Sequence, residues 1–401
     1  MFSNAVPELV AAVRPHFPEV VTHMSDTASA RPRVLFVSAN ESAPWGPSET
    51  NWSLAAAEWL RRGAEVHASV KGWEEMPGEL AALERAGCVV HRRWDLPPFD
   101  ARPVAELPWS ERRTSTLEQV RPDFVVVSQG DNYEGLGWLE ECARRGYPYV
   151  AYANSASEYE WCTDDVARRL AAGYHGARAS FFVSERNREL TERQVGEALP
   201  NARVVRCHFK VDYTAAPPWP ADDTPVRLAC LARLDPNSKG HDVLFDVLAM
   251  PKWRSRPVTL SLYGAGEYEQ VLRALRDRLD LRNVEFAGYA KDIEDVWRTH
   301  HALVLCSRAE GLPTVIIEAM LCGRPVVVSD VAGNAELLTD GETGFVAAGP
   351  VAACLDQALE RAWQRRAEWP AIGRRAAEAV RRQMPPDPIA LLVDQFQELA
   401  A

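Results

Sequence analysis

The sequence predicts an α/β protein of two doubly wound, parallel-sheet domains facing each other across a cleft. Three observations predict it. At 401 residues the chain exceeds one ordinary hydrophobic core, which favours two domains or three. Short Val- and Phe-rich runs alternate with helix-periodic segments from end to end, the pattern of parallel strands covered on both faces. Between the two halves, 212–225 holds four prolines and no periodicity, the composition of a linker. An N-terminal domain over 1–213 and a C-terminal domain over 214–387 follow.

In order, the first half offers strands at 33–38, 65–70, 123–128, 147–152 and 179–183. The second offers 226–231, 258–263, 284–286, 302–306 and 325–328. Apolar residues recur at helical spacing in 54–62, 185–197 and 268–279. No repeat of solenoid length and no low-complexity tract interrupts this order. In such sheets ligands bind beyond the carboxyl ends of the strands, so the loops after strands are where chemistry is sought.

Composition narrows the function. Hydrophobic residues at 47% and charged residues at 25% describe a globular chain, and a net charge of −11 excludes a broad nucleic-acid surface. An anionic ligand would need a local pocket of Arg or Lys. The eight cysteines stand singly, without a CxxC pair or Cys/His metal spacing. Cys88, Cys207, Cys230, Cys306 and Cys322 lie in apolar runs, as reduced core residues of a reducing compartment would. Residues 1–33 show no signal-peptide pattern, and no apolar stretch approaches bilayer-spanning length.

The most informative stretch runs from Ala302 to Gly344. A strand leads into Ser307-Arg-Ala-Glu310-Gly311-Leu312-Pro313 and then an apolar helix containing Glu318. Pro313 suits the first turn of that helix, with the Gly311 and Leu312 amides pointing from its positive end at a ligand. Glu310 and Glu318 could reach one cleft, and carboxylates accept the paired hydrogen bonds that vicinal hydroxyls of a sugar or ribose donate. The plainer alternative puts Glu318 on a solvated helix face and Glu310 in a turn. A second group is Arg233 and Lys239 with Gly240, after the first strand of the second half. They fit a diphosphate clamp, though an ordinary solvated loop can have the same residues.

Together these stretches resemble the retaining GT-B glycosyltransferases, specifically family four, also called group 1 glycosyltransferases. The resemblance covers nearly the whole chain and is tightest over 226–346. It rests on Ala232-Arg233-Leu234 with Lys239-Gly240, on Gly264 and Gly266 after Tyr263, and on Gly288 after Ala287. It continues through Glu310 and Glu318, with seven residues between them, then Asp330, Gly333 and Glu336, then Asp340 and Gly344. The resemblance implies a GT-B fold of two Rossmann-like domains, with the last helix, 388–401, crossing back onto the first and closure left to 212–225. It implies a donor that is a nucleotide-diphosphate sugar of UDP, GDP or ADP type and no further cofactor. Arg233 and Lys239 would hold the pyrophosphate, and Glu310 the sugar hydroxyls. Gly311, Leu312 and Pro313 would lie on sugar and phosphate, and Glu318 on the ribose. Glu310, Arg233 and Lys239 would serve the reaction directly. Gly264 and Tyr289 lie where the family approaches the nucleotide; a turn glycine and a packed aromatic are the alternatives. The acceptor would be a glycan, a lipid-linked molecule or a small molecule. The location would be cytoplasmic, with attachment to the inner face of a membrane open. The pairs Arg61-Arg62, Arg92-Arg93 and Arg112-Arg113 fit such attachment or a solvated face.

The first half departs from the family. Its loop reads Pro44-Trp-Gly46-Pro47-Ser48-Glu49, with Pro47 in place of a second glycine, so one phosphate-facing amide is lost. Asn154 stands where many members carry a sugar-facing histidine; it can hydrogen-bond but cannot carry a proton. Cys207-His-Phe-Lys210-Val-Asp212 replaces the usual Asn-Gly turn. No Asp-x-Asp occurs, so no metal is expected and Arg233, Lys239 and helix amides must meet the leaving charge. Rival readings are a donor-binding protein without activity, separable by product formation, and a sugar-nucleotide epimerase or glycan phosphorylase, against which Arg233, Lys239 and the glutamate pair argue. A nicotinamide oxidoreductase would need a GxGxxG after the first strand, and none is there.

Overall fold

The computed structural model describes residues 31–41, 43–93, 115–220 and 225–401. Expectations that fall on 1–30, on Arg112-Arg113 and on 221–224 of the linker lie outside the described residues. The first sheet consists of β1 (Arg33–Ser38), β2 (Glu65–Lys71), β3 (Val89–Arg93), β4 (Phe124–Gln129), β5 (Tyr149–Ala153), β6 (Ala179–Phe182) and β7 (Ala202–Val204). The second consists of β8 (Val226–Leu231), β9 (Val258–Tyr263), β10 (Val284–Gly288), β11 (Ala302–Leu305), β12 (Val326–Ser329) and β13 (Phe345–Ala347). Strand orders are β3-β2-β1-β4-β5-β6-β7 and β10-β9-β8-β11-β12-β13. Every pairing is parallel, as in β1 on β2 and β8 on β9.

Parallel strands are covered on both faces, and β1 shows how. Val34 and Phe36 enter one apolar core while Leu35 and Val37 enter the other, because successive side chains alternate across a strand. The order reverses between β1 and β4 in the first sheet and between β8 and β11 in the second. Those switch points open the crevice in which open α/β sheets bind ligands. The loops at them are 39–46 and 130–135 on one side, and 232–235 and 306–313 on the other.

The helix Pro388–Ala400 leaves the second domain and packs on the first. Phe396 lies edge-on to Phe181, ring centroids 5.1 Å apart, and against Tyr152 at 6.3 Å. Arg62 at the end of the helix Pro47–Arg61 pairs with Asp394 at 2.6 Å. Phe396 is fully buried, so its loss would cost about 3–5 kcal/mol and loosen this clasp.

The linker is not a loose tether. Arg381 donates to the carbonyls of Tyr213 (2.9 Å) and Ala215 (3.0 Å). Arg324 donates to Pro218 (2.6 Å) and its guanidinium lies 5.0 Å from the Trp219 ring. Arg324 is buried and answered by carbonyls, including those of Trp297, His300 and Cys322, and burial lowers its pKa to about 10. Residues 213–220 are therefore fastened to the C-terminal domain. This revises the expectation that closure is left to 212–225 as a whole, because most of that segment must travel with the second domain.

Candidate functional site

The donor-side loops are built around one ion pair. After β8 the chain turns into the short helix Pro236–Lys239, capped by Asp235, whose carboxylate accepts from the Asn237 amide (3.1 Å) and the Ser238 hydroxyl (2.7 Å). Gly240 follows with φ 63°, and a Cβ there would come within 2.0 Å of the Cys306 carbonyl. Only glycine allows the loops after β8 and β11 to approach so closely. Lys239 Nζ then donates to Glu310 Oε1 at 2.7 Å, and Ser307 Oγ donates to the same oxygen at 2.6 Å. Glu310 is buried. Arg308 braces the pair from behind, bidentate to Asp242 at 2.7 and 2.8 Å and bonded to the Pro236 carbonyl at 2.6 Å. The Arg308 and Ala309 amides both donate to the Ser238 carbonyl.

Other expected donor residues lie around this centre. Arg233 is exposed on the rim, its guanidinium 3.3 Å from Asp235. Gly264 backs the Arg233 loop, where a Cβ would meet the Ala232 carbonyl at 2.0 Å, and its amide bonds Gly288 at 2.8 Å. Tyr289, just beyond, is 72% exposed, which sets aside its alternative as a packed aromatic. Leu312 is buried, and Pro313 is the N-cap of the helix Thr314–Leu321 rather than a residue of its first turn, one position earlier than expected. Its extended ψ of 117° keeps it out of the helix. Glu318 is not on a solvated face. It is 3% exposed, and Oε1 accepts the Lys210 amide at 2.9 Å, while burial raises its pKa. The Glu318 carboxylate therefore touches the segment that joins the domains.

The N-terminal domain meets this centre through backbone. Ala156 forms an antiparallel bridge with Glu310. Gly311 lies so close that a Cβ would fall 1.9 Å from the Asn154 carbonyl oxygen. The Asn154 side chain is committed within its own domain, accepting from Asn51 Nδ2 at 3.0 Å and donating to the Gln129 carbonyl at 3.0 Å. It meets the site by its carbonyl, and its side chain is already bonded within the N-terminal domain. Gly46, in extended backbone, caps the helix that Pro47 begins. Ser48 and Glu49 are buried in that helix. Glu49 accepts from Ser38 (3.2 Å), Asn40 (3.0 Å) and Ser48 (2.7 Å), and burial raises its pKa despite these bonds.

Reading the sequence did not assign roles to Ser307, Arg308, Asn51 or Glu336. Glu336 spans the domains, accepting the Glu185 amide at 2.9 Å and pairing with Arg206 at 2.8 Å. Arg186 adds a pair with Asp330 at 2.9 Å. Glu336 and Asp330 stand in quoted motifs, but only the fold shows their partners. The two described basic pairs among those considered for membrane attachment, Arg61-Arg62 and Arg92-Arg93, are turned to the chain's own acceptors. Arg61 pairs with Glu58, Arg92 with Glu84, and Arg93 is buried, donating to Ser69 and the Ser38 carbonyl. Among the described residues no helix is long and apolar enough to cross a membrane, and no three His, Cys, Asp or Glu side chains gather as a metal site. All eight cysteines are free thiols, six of them buried.

Two facing parallel sheets with a lysine–glutamate pair at the switch-point loops define the two-domain GT-B architecture. Residues 225–365, which contain every donor-side residue named above, match the family model described as glycosyl transferases group 1. Among curated relatives, a phosphatidyl-myo-inositol mannosyltransferase of Mycobacterium leprae is 37% identical over 158 residues, 38% of this chain and 41% of that one. A GDP-mannose-dependent monoacylated α-(1-6)-phosphatidylinositol monomannoside mannosyltransferase of Corynebacterium glutamicum is 35% identical, covering 39% of this chain and 44% of its own. The matched stretch thus spans less than half the length of these relatives. Among solved structures, Anabaena HepE in complex with UDP and glucose superposes with a TM-score of 0.70 at 20% identity, covering 91% of this chain and 98% of HepE. Sucrose-phosphate synthase from Thermosynechococcus elongatus gives 0.70 at 18% identity, covering 92% and 98%. At such identities the likeness is one of fold.

Proposed function

We propose that this chain transfers a sugar from a nucleotide-diphosphate-sugar donor to a hydroxyl of an acceptor, retaining the anomeric configuration and using no metal ion. The observation that carries the reading is the Lys239–Glu310 pair at 2.7 Å, held at the crevice of a group 1 glycosyl transferase domain. Lys239 supplies a compact positive charge for a diphosphate, and Glu310 supplies a carboxylate for sugar hydroxyls. The two neutralise each other until a donor separates their tasks. Support for a nucleotide sugar comes from HepE, which was solved with UDP-glucose, and from the mycobacterial and corynebacterial mannosyltransferases, of which the latter is named GDP-mannose-dependent.

In this reading the bond from the anomeric carbon to the phosphate oxygen breaks as the acceptor oxygen bonds to the same face. The acceptor proton passes to the leaving phosphate, whose charge Lys239, Arg233 and the Gly311 and Leu312 amides meet. Glu310 orients the sugar and is no nucleophile. Free thiols at all cysteines suit a reducing compartment, and we place the enzyme in the cytoplasm, free or at the inner face of a membrane.

Titration calorimetry with UDP-glucose, GDP-mannose and ADP-glucose, followed by proton NMR of the product, tests this reading. One donor should bind, its anomer should be kept in the product, and EDTA should leave the initial rate nearly unchanged. An inverted product overturns retention, and loss of activity on chelation overturns metal independence. Donor binding without turnover of donor would identify a binding protein instead.

A further inference from the structure

Where the helix Trp369–Gln383 ends and the chain crosses back to the first domain, a groove opens between the two domains. Its volume is about 510 Å³, within the roughly 300–1,000 Å³ of small-molecule sites. The first domain lines it with Val204 and Arg206, and the second with Arg381, Arg382 and Met384. Leu391 and Leu392 of the crossing helix Pro388–Ala400 complete an apolar surface, with Leu391 half exposed. None of the donor-side residues lines this groove.

Charge in the groove is one-sided, because no Asp or Glu is among its lining residues. Arg206 is answered by Glu336 at 2.8 Å. Arg381 gives Nε and Nη2 to the carbonyls of Tyr213, Ala215 and Leu321, so its charge meets no carboxylate there. Arg382 is exposed and has no hydrogen bond or ion pair among the described residues. The acids nearby have tasks of their own. Asp387 caps the crossing helix by accepting the Ala390 amide at 2.9 Å, Asp394 pairs with Arg62, and Glu398 pairs with Arg203 at 3.6 Å.

We propose that this groove is a ligand site outside the crevice, for a free amphiphile of one apolar chain with a phosphate head on Arg382. A guanidinium fork matches a phosphate in two parallel hydrogen bonds, and Arg382 has its donors open while Arg381 adds field alone. The chain lies against Val204, Met384, Leu391 and Leu392, where contact removes apolar surface from water. A net charge of −11 repels an anionic bilayer, so the amphiphile comes from solution and not from a membrane face. Because both domains line the groove, a bound molecule holds them in the one arrangement it fits. The site does not rest on the transferase reading.

The test is titration calorimetry of the full chain with octyl phosphate, inorganic phosphate and octyl glucoside, each below its micelle concentration. Sedimentation with vesicles of phosphatidylcholine and phosphatidic acid runs in parallel. Octyl phosphate should bind with one-to-one stoichiometry, the other two at least about tenfold more weakly, and the vesicles should not carry the protein down. Arg382→Glu should raise the octyl phosphate Kd about tenfold or more, and Leu391→Gln about fivefold, at unchanged melting temperature. Lys239→Ala should leave that Kd unchanged. Equal binding of octyl glucoside or of inorganic phosphate overturns the proposal, as does an unchanged Kd in both folded groove variants. A Kd that rises in Lys239→Ala and not in Arg382→Glu puts the amphiphile at the donor loops and overturns it too. Co-sedimentation that Arg382→Glu abolishes would make the groove a bilayer contact instead.

Discussion

On the donor side of the crevice, charge meets charge. Lys239 sits on Glu310 and Arg308 on Asp242, so the loops after β8 and β11 are fixed to each other before any ligand arrives. On the facing side, the carboxylates of buried Glu49 and half-buried Asp131 and Glu134 have no cation partner among the described residues. Glu49 is held by hydroxyls and an amide, Glu134 by the Gly130 and Asp131 amides, and one oxygen of Asp131 by nothing. Burial without a counter-charge raises the pKa of all three, Asp131 to about 6 and Glu134 to about 8. The contrast is one of task. In the proposed function the paired charges would receive a diphosphate, and acids with raised pKa values would suit hydroxyl recognition.

The sharpest way to break the comparison is at Lys239. If its ammonium meets charge that grows on a leaving diphosphate, Lys239→Ala should lower kcat by about a hundredfold or more. Arg233→Ala should fall short of that, because its guanidinium is 56% exposed and screened by water. Lys239→Arg should not restore full activity, since a planar fork does not fit where a compact ammonium reaches one oxygen. The melting temperature of each variant must be checked, because truncating Lys239 leaves the buried Glu310 without its cation. A folded Lys239→Ala enzyme with near-normal kcat would falsify the clamp.

Glu318 gives a smaller and differently shaped effect. A ribose contact acts about equally in ground and transition states, so Glu318→Ala should raise the donor KM with little change in kcat. A charge-assisted hydrogen bond is worth roughly 1.5–3 kcal/mol, which corresponds to about ten- to a hundredfold. Glu318→Gln refines the test. Its amide oxygen can still accept the Lys210 amide, so the tie to the interdomain segment survives while the charge is lost. If Gln and Ala raise KM alike at unchanged melting temperature, the charge binds the ribose. If only Ala does, Glu318 acts through the tie to Lys210.

Much of this was legible before any coordinates. Central strands such as β1, β4 and β8 announce themselves because both faces are buried. The edge strands β3, β7 and β13 did not: β3 reads Val-Val-His-Arg-Arg and is only partly buried, so it has the composition of a surface segment. The first turn of the helix Pro47–Arg61 was missed because Ser48, Glu49, Thr50 and Asn51 are polar, yet three of them are buried in loop-holding contacts. In the site, Lys239 and Glu310 were readable as motif residues, but their partnership depends on how β8 and β11 lie side by side. Glu336 was visible in a motif while its partners Glu185 and Arg206 belong to the other domain. The inward hydrogen bonds of Asn154 were not legible, because position in a family pattern says nothing about a side chain's partners inside its own domain.

The smallest expected effect lies on the N-terminal side of the crevice, and it concerns stability. Glu134 has a folded pKa near 8 against an ordinary 4.5, with burial as the main cause, opposed by the two backbone amides it accepts. Between those values the folded chain holds a proton that the unfolded chain has released. The stability this supplies is complete below the unfolded value and is lost as pH rises through the folded one. Glutamine is neutral at every pH, and its oxygen can accept the same two amides. Glu134→Gln should therefore match the parent's melting temperature at about pH 5 and exceed it at about pH 9, by no more than a few kcal/mol in stability. Asp131 titrates in the same direction over a lower range and should leave a residual slope in the variant. Melting curves of parent and variant across that range decide the matter. A difference between them that does not change with pH would mean that Glu134 is charged in the folded chain, and the contrast between the two sides of the crevice would then rest on Glu49 and Asp131 alone.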